Sequence, residues 1–182
     1  MTRREEILEA ALDSLGDGGE ATIEEVRGRS GASVGSIYHH FGDKDGILVA
    51  LYAKVLGEYQ AGVLRTLRAA TDAEDGVKRL VRHHLRWVQR NPERARFVLQ
   101  SGVVREQADA ELKALNQSMF AAVGEWVEAQ AAIRPLRREI FYATVFGPAQ
   151  ELCRSWLAGR IESLRRVEDE LAEAAWRAVR SG

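Results

Sequence analysis

Two pairs of adjacent histidines, His39-His40 and His83-His84, and a single cysteine, Cys153, have the widest scope for metal or nucleophile chemistry. Neither pair has ligand spacing. Neighbouring helical residues point about 100° apart, and neither pair has a partner histidine at i, i+4 or an acid-rich cluster beside it. Of His83 and His84, one is expected at the surface and the other, at an apolar phase, partly buried. Cys153 has no evident base near it in sequence and falls on an apolar helix face, which predicts a buried thiol. Being alone, it cannot form an intramolecular disulfide, which fits a reducing compartment. No glycine-rich phosphate loop, nucleophile elbow or zinc-binding motif occurs. The expectation is a protein that is not an enzyme, with no catalytic residue, metal or cofactor.

The segment from Thr22 to Lys44 is built for recognition instead. Thr22-Ile23-Glu24-Glu25 has the capping-box form and opens a short helix reaching about Ser30. Gly31-Ala32-Ser33 is a tight turn, and Ser33 can cap a second short helix that Gly42-Asp43 breaks. Two short helices joined by a glycine-containing turn have helix-turn-helix geometry. Ile23, Val26, Val34 and Ile37 can close the angle between them, leaving Gly35, Ser36, Tyr38, His39 and His40 facing outward. An α-helix fits the DNA major groove, and free N–H groups at its N-terminus can meet phosphate. Each residue also has a plainer use: Thr22 and Ser33 are good caps without DNA, and Tyr38 could simply pack its ring.

Helical periodicity surrounds this segment almost from end to end, with no sustained strand alternation. Ile7, Leu8, Ala11, Leu12 and Leu15 form a stripe entered through the capping box Thr2-Arg3-Arg4-Glu5 and stopped by Gly16-Asp17-Gly18-Gly19. After Asp43 a long helix carries Leu48, Leu51, Tyr52, Val55, Leu56, Tyr59, Val63, Leu64 and Leu67 on one broad face. Further starts are expected at Thr71-Asp72-Ala73-Glu74, as a third capping box, at Asn91-Pro92, with asparagine as cap, and after Pro135. Gly102 and Gly159 are expected stops, and a last helix should hold Leu164, Val167, Leu171, Ala174, Ala175, Ala178 and Val179. The expected fold is all-α with about nine helices: a three-helix head over residues 1–44, then a larger helical domain over residues 45–182.

The chain of 182 residues is 46% apolar and 29% charged, ordinary for a soluble globular protein and enough to build a core. No signal region or run of about 18 apolar residues is evident, so no membrane and a cytoplasmic location are expected. Net charge is −1 overall, and residues 1–54 carry six basic residues against ten acids, which argues against a polyanion partner. Placement softens this, because between Val26 and Lys44 the basic Arg27, Arg29 and Lys44 meet only Asp43.

Ser33-Val34-Gly35-Ser36-Ile37-Tyr38-His39-His40-Phe41, with Lys44 and Leu48, resembles the recognition-helix signature of TetR-family regulators. Gly19, Thr22, Ile23, Val26 and Gly31 fit the same pattern, and the match is specific over roughly Leu8 to Leu56. Arg27 and Ser30 depart from it, standing where the family usually has alanine. A bulky Arg27 must bend its stem over the apolar seam and lift its charge to water. The resemblance implies phosphate contacts from Tyr38, Lys44, Thr22 and Ser33. It implies base-edge contacts from Ser36, His39 and, by close approach, Gly35, and a thymine-methyl contact from Val34. It also implies a homodimer on a double-stranded, palindromic DNA operator and a small-molecule effector that releases it. An effector pocket would draw on Tyr59, Trp87, Phe97, Phe120, Trp126 and Tyr142, which could equally be plain core. Gly147-Pro148-Ala149-Gln150-Glu151-Leu152 with Trp156-Leu157-Ala158-Gly159 resembles the family's first dimerisation helix. Gln150, Trp156, Leu171, Ala174 and Ala175 are the expected dimer seam, because small residues let helices approach closely. The alternative is a helical small-molecule binder that does not read DNA, which the acidic head keeps open.

Overall fold

Residues 2–16, 19–100 and 110–182 are described by a computed structural model of the protein. Among them are nine α-helices and no strand, with one isolated antiparallel bridge between Ile133 and Arg180. The chain divides into two compact units, residues 1–57 with 93–113, and residues 58–92 with 114–182.

The first unit is made by α1 (Arg3–Gly16), α2 (Ile23–Ser30), α3 (Val34–Phe41), the start of α4 (Lys44–Arg68) and α6 (Pro92–Gln100). Its core follows the apolar phases of the sequence: Ile7, Leu8, Leu12, Val26, Ile37, Ile47, Leu51 and Val55 are buried. Each such side chain contributes roughly 1.5–3 kcal/mol by leaving water. The helices begin where short polar side chains can take the first free N–H groups. The Glu5 N–H donates to Thr2 Oγ1 at 3.3 Å, and the Gly46 N–H donates to Asp43 Oδ1 at 2.8 Å. Glu9 on α1 lies 2.6 Å from Lys54 and 2.9 Å from Arg94, tying α1 to α4 and α6. Burial opposes ionisation of Glu9, but the Lys54 hydrogen bond and the Arg94 charge outweigh it and hold the carboxyl below its usual range.

The second unit holds the rest of α4 with α5 (Ala73–Arg90), most of α7 (Ala110–Glu128), α8 (Arg138–Leu157) and α9 (Glu168–Val179). Val77, Leu80, Val81, Leu85 and Val88 make one buried stripe along α5, which packs on α8 and α9. Phe141, Val145, Ala149 and Cys153 answer it from α8, and Ala172, Ala175, Trp176 and Val179 from α9. Burial pushes the Cys153 thiol up to about 12, so it is the inert core group its helix phase predicts. Pro148 interrupts the N–H ladder of α8 at an exposed position. α4 is long and apolar enough to cross a membrane by length and composition alone, yet its Ile47, Leu51, Val55, Val63 and Leu67 are buried inside the protein.

Several helix ends differ from expectation. The α5 cap is Asp72, which accepts from the Asp75 N–H at 2.8 Å, rather than a Thr71 box with Glu74. Thr71 instead donates its own N–H to the Asp75 carboxylate at 3.0 Å, one residue further along. Pro92 does open α6, but the Asn91 side chain donates back to the Trp87 carbonyl at 2.9 Å and closes α5. The last helix starts at Glu168, so Leu164 is buried in the preceding turns and Val167 stands only at the cap. Gly102 and the Asp17-Gly18 pair lie outside the described residues.

Candidate nucleic-acid interface

The helix-turn-helix is held by hydrogen bonds that the sequence states almost outright. Thr22 Oγ1 accepts from the Glu25 N–H at 3.3 Å, and the Thr22 N–H donates to the Glu25 carboxylate at 3.0 Å, closing the capping box. The Ser14 hydroxyl adds a third donor to Glu25 at 3.0 Å, joining α1 to α2. The Thr22 N–H first, and then Ser14, holds the Glu25 carboxyl below its usual range. At the other end Gly31 turns left-handed, with φ 64°, and donates its N–H to the Arg27 carbonyl.

Ser30, a departure from the resembled pattern, builds the turn. Its hydroxyl donates to the Val26 carbonyl at 2.6 Å and accepts from the Ala32 N–H at 3.2 Å. Arg3 reaches across from α1 to the Ser30 carbonyl at 3.2 Å. Arg27 does not bend over the seam as expected. Its side chain is half exposed and lies 3.3 Å from Glu24, one turn back on the same helix. Val26 and Ile37 are therefore fully buried between the short helices. Val34 is not part of that seam: it is 44% exposed, because the first residue of a two-turn helix stands clear of its neighbour.

The face of α3 away from the seam carries Val34, Gly35, Tyr38, His39 and His40, all exposed. Tyr38 is 51% exposed, so its ring is not used in packing. A Cβ at Gly35 would meet nothing within 4 Å, which leaves a flat spot where a bulky surface could come close. Ser36 is half-buried and gives its N–H to the Ser33 hydroxyl at 3.1 Å. The Ser33 hydroxyl thus uses an oxygen lone pair on the backbone and keeps its hydrogen for another acceptor, whereas the Thr22 hydroxyl also faces the Glu25 carboxylate. Lys44 is held 3.5 Å from the Glu20 carboxylate, an exposed pair of little intrinsic strength. Such a surface offers donors, one aromatic ring and a methyl-bearing side chain, and no carboxylate on the helix itself.

The residues expected in an effector pocket do not all meet. Phe97 belongs to the first unit and packs edge-on to Tyr52, with ring centres 6.2 Å apart. The other five lie in the second unit. Trp126 is spent on packing: its ring sits over Gly76 on α5, where a Cβ would collide with it. Tyr59 contacts Trp87 at 5.1 Å between centres, and Phe120 contacts Tyr142 at 4.6 Å. Sequence reading missed the polar members of this neighbourhood. The Tyr59 hydroxyl is 2.8 Å from His84 Nδ1, and Gln60 donates to Asn116 at 2.8 Å. Gln60 had a signal, being a polar residue at an apolar phase between Leu56 and Val63. His83 is not at the surface either; it stacks on Tyr59, in space kept by Gly62, where an added Cβ would come within 2.5 Å of the imidazole. Burial lowers the pKa of both histidines, His84 to about 4.

Of the expected dimer residues, Gln150 and Ala174 are exposed, Trp156 and Leu171 half-buried, and Ala175 is buried inside the unit. Trp156 lines an open groove of about 600 Å³ with Arg86, Arg90, Arg165, Glu168 and Asp169. Ala174 lines another with Glu170, Glu173, Arg177 and Ala178.

Residues 7–51 match the family of bacterial regulatory proteins named for tetR. The HTH-type transcriptional regulator BetI of Klebsiella pneumoniae (strain 342) is 36% identical over 72 residues, 38% of this chain and 37% of that protein. The chain thus spans well under half the length of that relative. A TetR-family transcription regulator from Marinobacter aquaeolei VT8 shares the fold over 99% of this chain and 96% of its own, with TM-score 0.79 and 21% identity. The fatty acid degradation regulator FadR of Bacillus halodurans does so over 97% and 95%, with TM-score 0.78 and 18% identity. These likenesses extend the shared fold beyond the matched head to the helices that follow. Residues 7–51 thus form a domain of the tetR-family type, and the chain as a whole shares the fold of these regulators.

Proposed function

We propose that the chain is a transcriptional regulator, acting as a repressor: a homodimer that binds a palindromic operator in the cytoplasm and is released by a small molecule. The observation that carries this reading is α3, a capped helix with Ile37 sealed inward and Val34, Gly35, Tyr38, His39 and His40 bare on the other side. Exposed apolar and aromatic groups on a short helix call for a partner surface, and a major groove accepts a helix of this size. The relatives matched over this segment are themselves named as HTH-type transcriptional regulators.

In this reading residues 1–44 are the DNA-binding head and residues 45–182 the sensor and dimerisation domain. Tyr38, Lys44, Thr22 and Ser33 meet phosphates, while Ser36, His39, His40 and Gly35 face base edges and Val34 a thymine methyl. No arginine or glutamine stands on α3 to read guanine or adenine with two hydrogen bonds, so each contact discriminates modestly and DNA shape shares the work. Two copies of α3 enter successive major grooves about 34–36 Å apart. The effector releases the operator only to the extent that it binds the non-operator spacing more tightly.

Selection of random duplex DNA by the full chain at moderate salt tests this. Enrichment of an inverted repeat, with affinity falling as salt rises, is the expected result. If no sequence is enriched and binding stays weak at low salt, the regulator reading fails.

A further inference from the structure

Among the described residues, four buried polar atoms of the second unit have no hydrogen-bond partner: Gln60 Oε1, His83 Nε2, His84 Nε2 and the Tyr142 hydroxyl. An interior normally satisfies such groups, so a cluster of them marks a place prepared for something else. Two converge. The ring of Phe146 lies between His84, edge-on at 6.1 Å, and Tyr142, stacked at 5.7 Å. His84 is fixed from behind, because its Nδ1 is engaged by the Tyr59 hydroxyl and only Nε2 is left to act.

We propose that His84 Nε2 and the Tyr142 hydroxyl form the polar end of a binding site for an uncharged, aromatic small molecule carrying a hydroxyl or carbonyl group. This rests on the effector reading above and gives that effector a chemistry. The walls are rings, Tyr59, Trp87 and Phe146, which suit a flat apolar body. The two polar groups are both able to donate or accept. Tyr142 has a rotatable hydroxyl, and His84 can exchange tautomers with the Tyr59 hydroxyl turning to match. They therefore suit a hydroxyl oxygen, which gives one hydrogen bond and takes another, or a carbonyl oxygen, which takes both.

Net charge has no place there. Burial keeps His84 neutral and raises both the Tyr59 and Tyr142 hydroxyls well above their ordinary value. Among the described residues, the charge that acts on Tyr142 is Arg138, already paired with Glu128 at 2.9 Å. Arg65 and Arg90 act on His83 rather than on His84, so among the described residues an anion held by His84 Nε2 and the Tyr142 hydroxyl would gain no free cation, and a cation would find no carboxylate. Either would lose its water without return.

Three probes of nearly one shape decide the matter: 4-methylphenol, p-xylene and 4-methylbenzoate, titrated calorimetrically into the full chain at neutral pH. The expected order puts 4-methylphenol about tenfold or more ahead of p-xylene, with 4-methylbenzoate the weakest. Tyr142→Phe keeps the stacked ring and removes only the hydroxyl. It should cost 4-methylphenol about fivefold or more and leave p-xylene unchanged. It should also hold or raise the melting temperature of the free protein, because it deletes an unpaired buried group, whereas a structural hydroxyl would lower it. Equal affinity of 4-methylphenol and p-xylene, indifferent to Tyr142→Phe, would overturn the proposal. So would tighter binding of 4-methylbenzoate, or no binding of any probe. The DNA selection needs no probe, so its failure would remove the regulator reading while leaving this site to stand on the titrations.

Discussion

Protonating His84 places a charge among Tyr59, Trp87 and Phe146, away from water, and its pKa drops to about 4 from an ordinary 6.5, with the charge of His83 adding to the effect. Between those values the unfolded chain holds a proton there that the folded chain does not. Stability from this source is complete above about pH 6.5 and is lost as the pH falls toward 4, on the order of 3 kcal/mol across the window. Melting temperatures measured over this range should fall in the native protein and fall less steeply in His84→Phe; parallel curves would show that His84 does not govern the acid limb. On the head, Tyr38→Ala and Lys44→Ala should weaken binding to every DNA sequence alike, while His39→Ala should alter which sequence is preferred. Glu20→Gln frees Lys44 from its 3.5 Å partner and should strengthen binding to all sequences, most at low salt. Unchanged affinity in the Tyr38 and Lys44 variants would remove those contacts. The residue chemistry was legible where a side chain bonds its own helix, as Thr22, Ser33 and Asp43 do. It was illegible where the partner lies far along the chain, as with Glu9 and Arg94 or Tyr59 and His84.

Helices were readable from periodicity because apolar spacing at three and four residues leaves few alternatives, and α1 and α4 follow the expected stripes. Their ends were less so. Thr71 and Asp72 are both acceptable caps, and only the placement of Asp75 decides between them. Close approach was invisible, since a glycine within a helix gives no sign of what will lie against it. Gly76 is the clearest instance, with the Trp126 ring of α7 lying where its side chain would begin. Gly76→Ala should therefore cost about 1–3 kcal/mol by overpacking, even though alanine is the better helix former. Chemical denaturation would measure this, and a variant as stable as the native protein would mean that Trp126 can turn aside at no cost.

At the scale of the whole molecule the proposal is a pair of chains, supported in one chain by a pattern of small, exposed residues near the C-terminus. Ala143 and Pro148 on α8, and Ala174 and Ala178 on α9, are exposed. Ala174→Glu adds bulk and charge at such a position without touching the core of the unit. It should leave the helical content unchanged, shift sedimentation toward the single chain and reduce operator affinity together with it. A variant that stays dimeric would move the seam elsewhere. Ala175 shows why this seam was hard to read: it adjoins Ala174 in sequence but is buried in its own unit. A stripe of small residues does not say which neighbour it faces.

The Ser33 hydroxyl spends a lone pair on the helix it starts and keeps its hydrogen for the outside. Stability and recognition are thereby carried by opposite ends of the same O–H group, so they can be inherited separately. Aspartate caps a helix as well as serine does and suits the positive end of its dipole. Ser33→Asp should consequently melt no lower than the native protein while binding all DNA far more weakly, because a carboxylate meets phosphate oxygens with repulsion. A lineage selected only for a sturdier head could accept that exchange without penalty and end with a well-folded protein that no longer touches DNA.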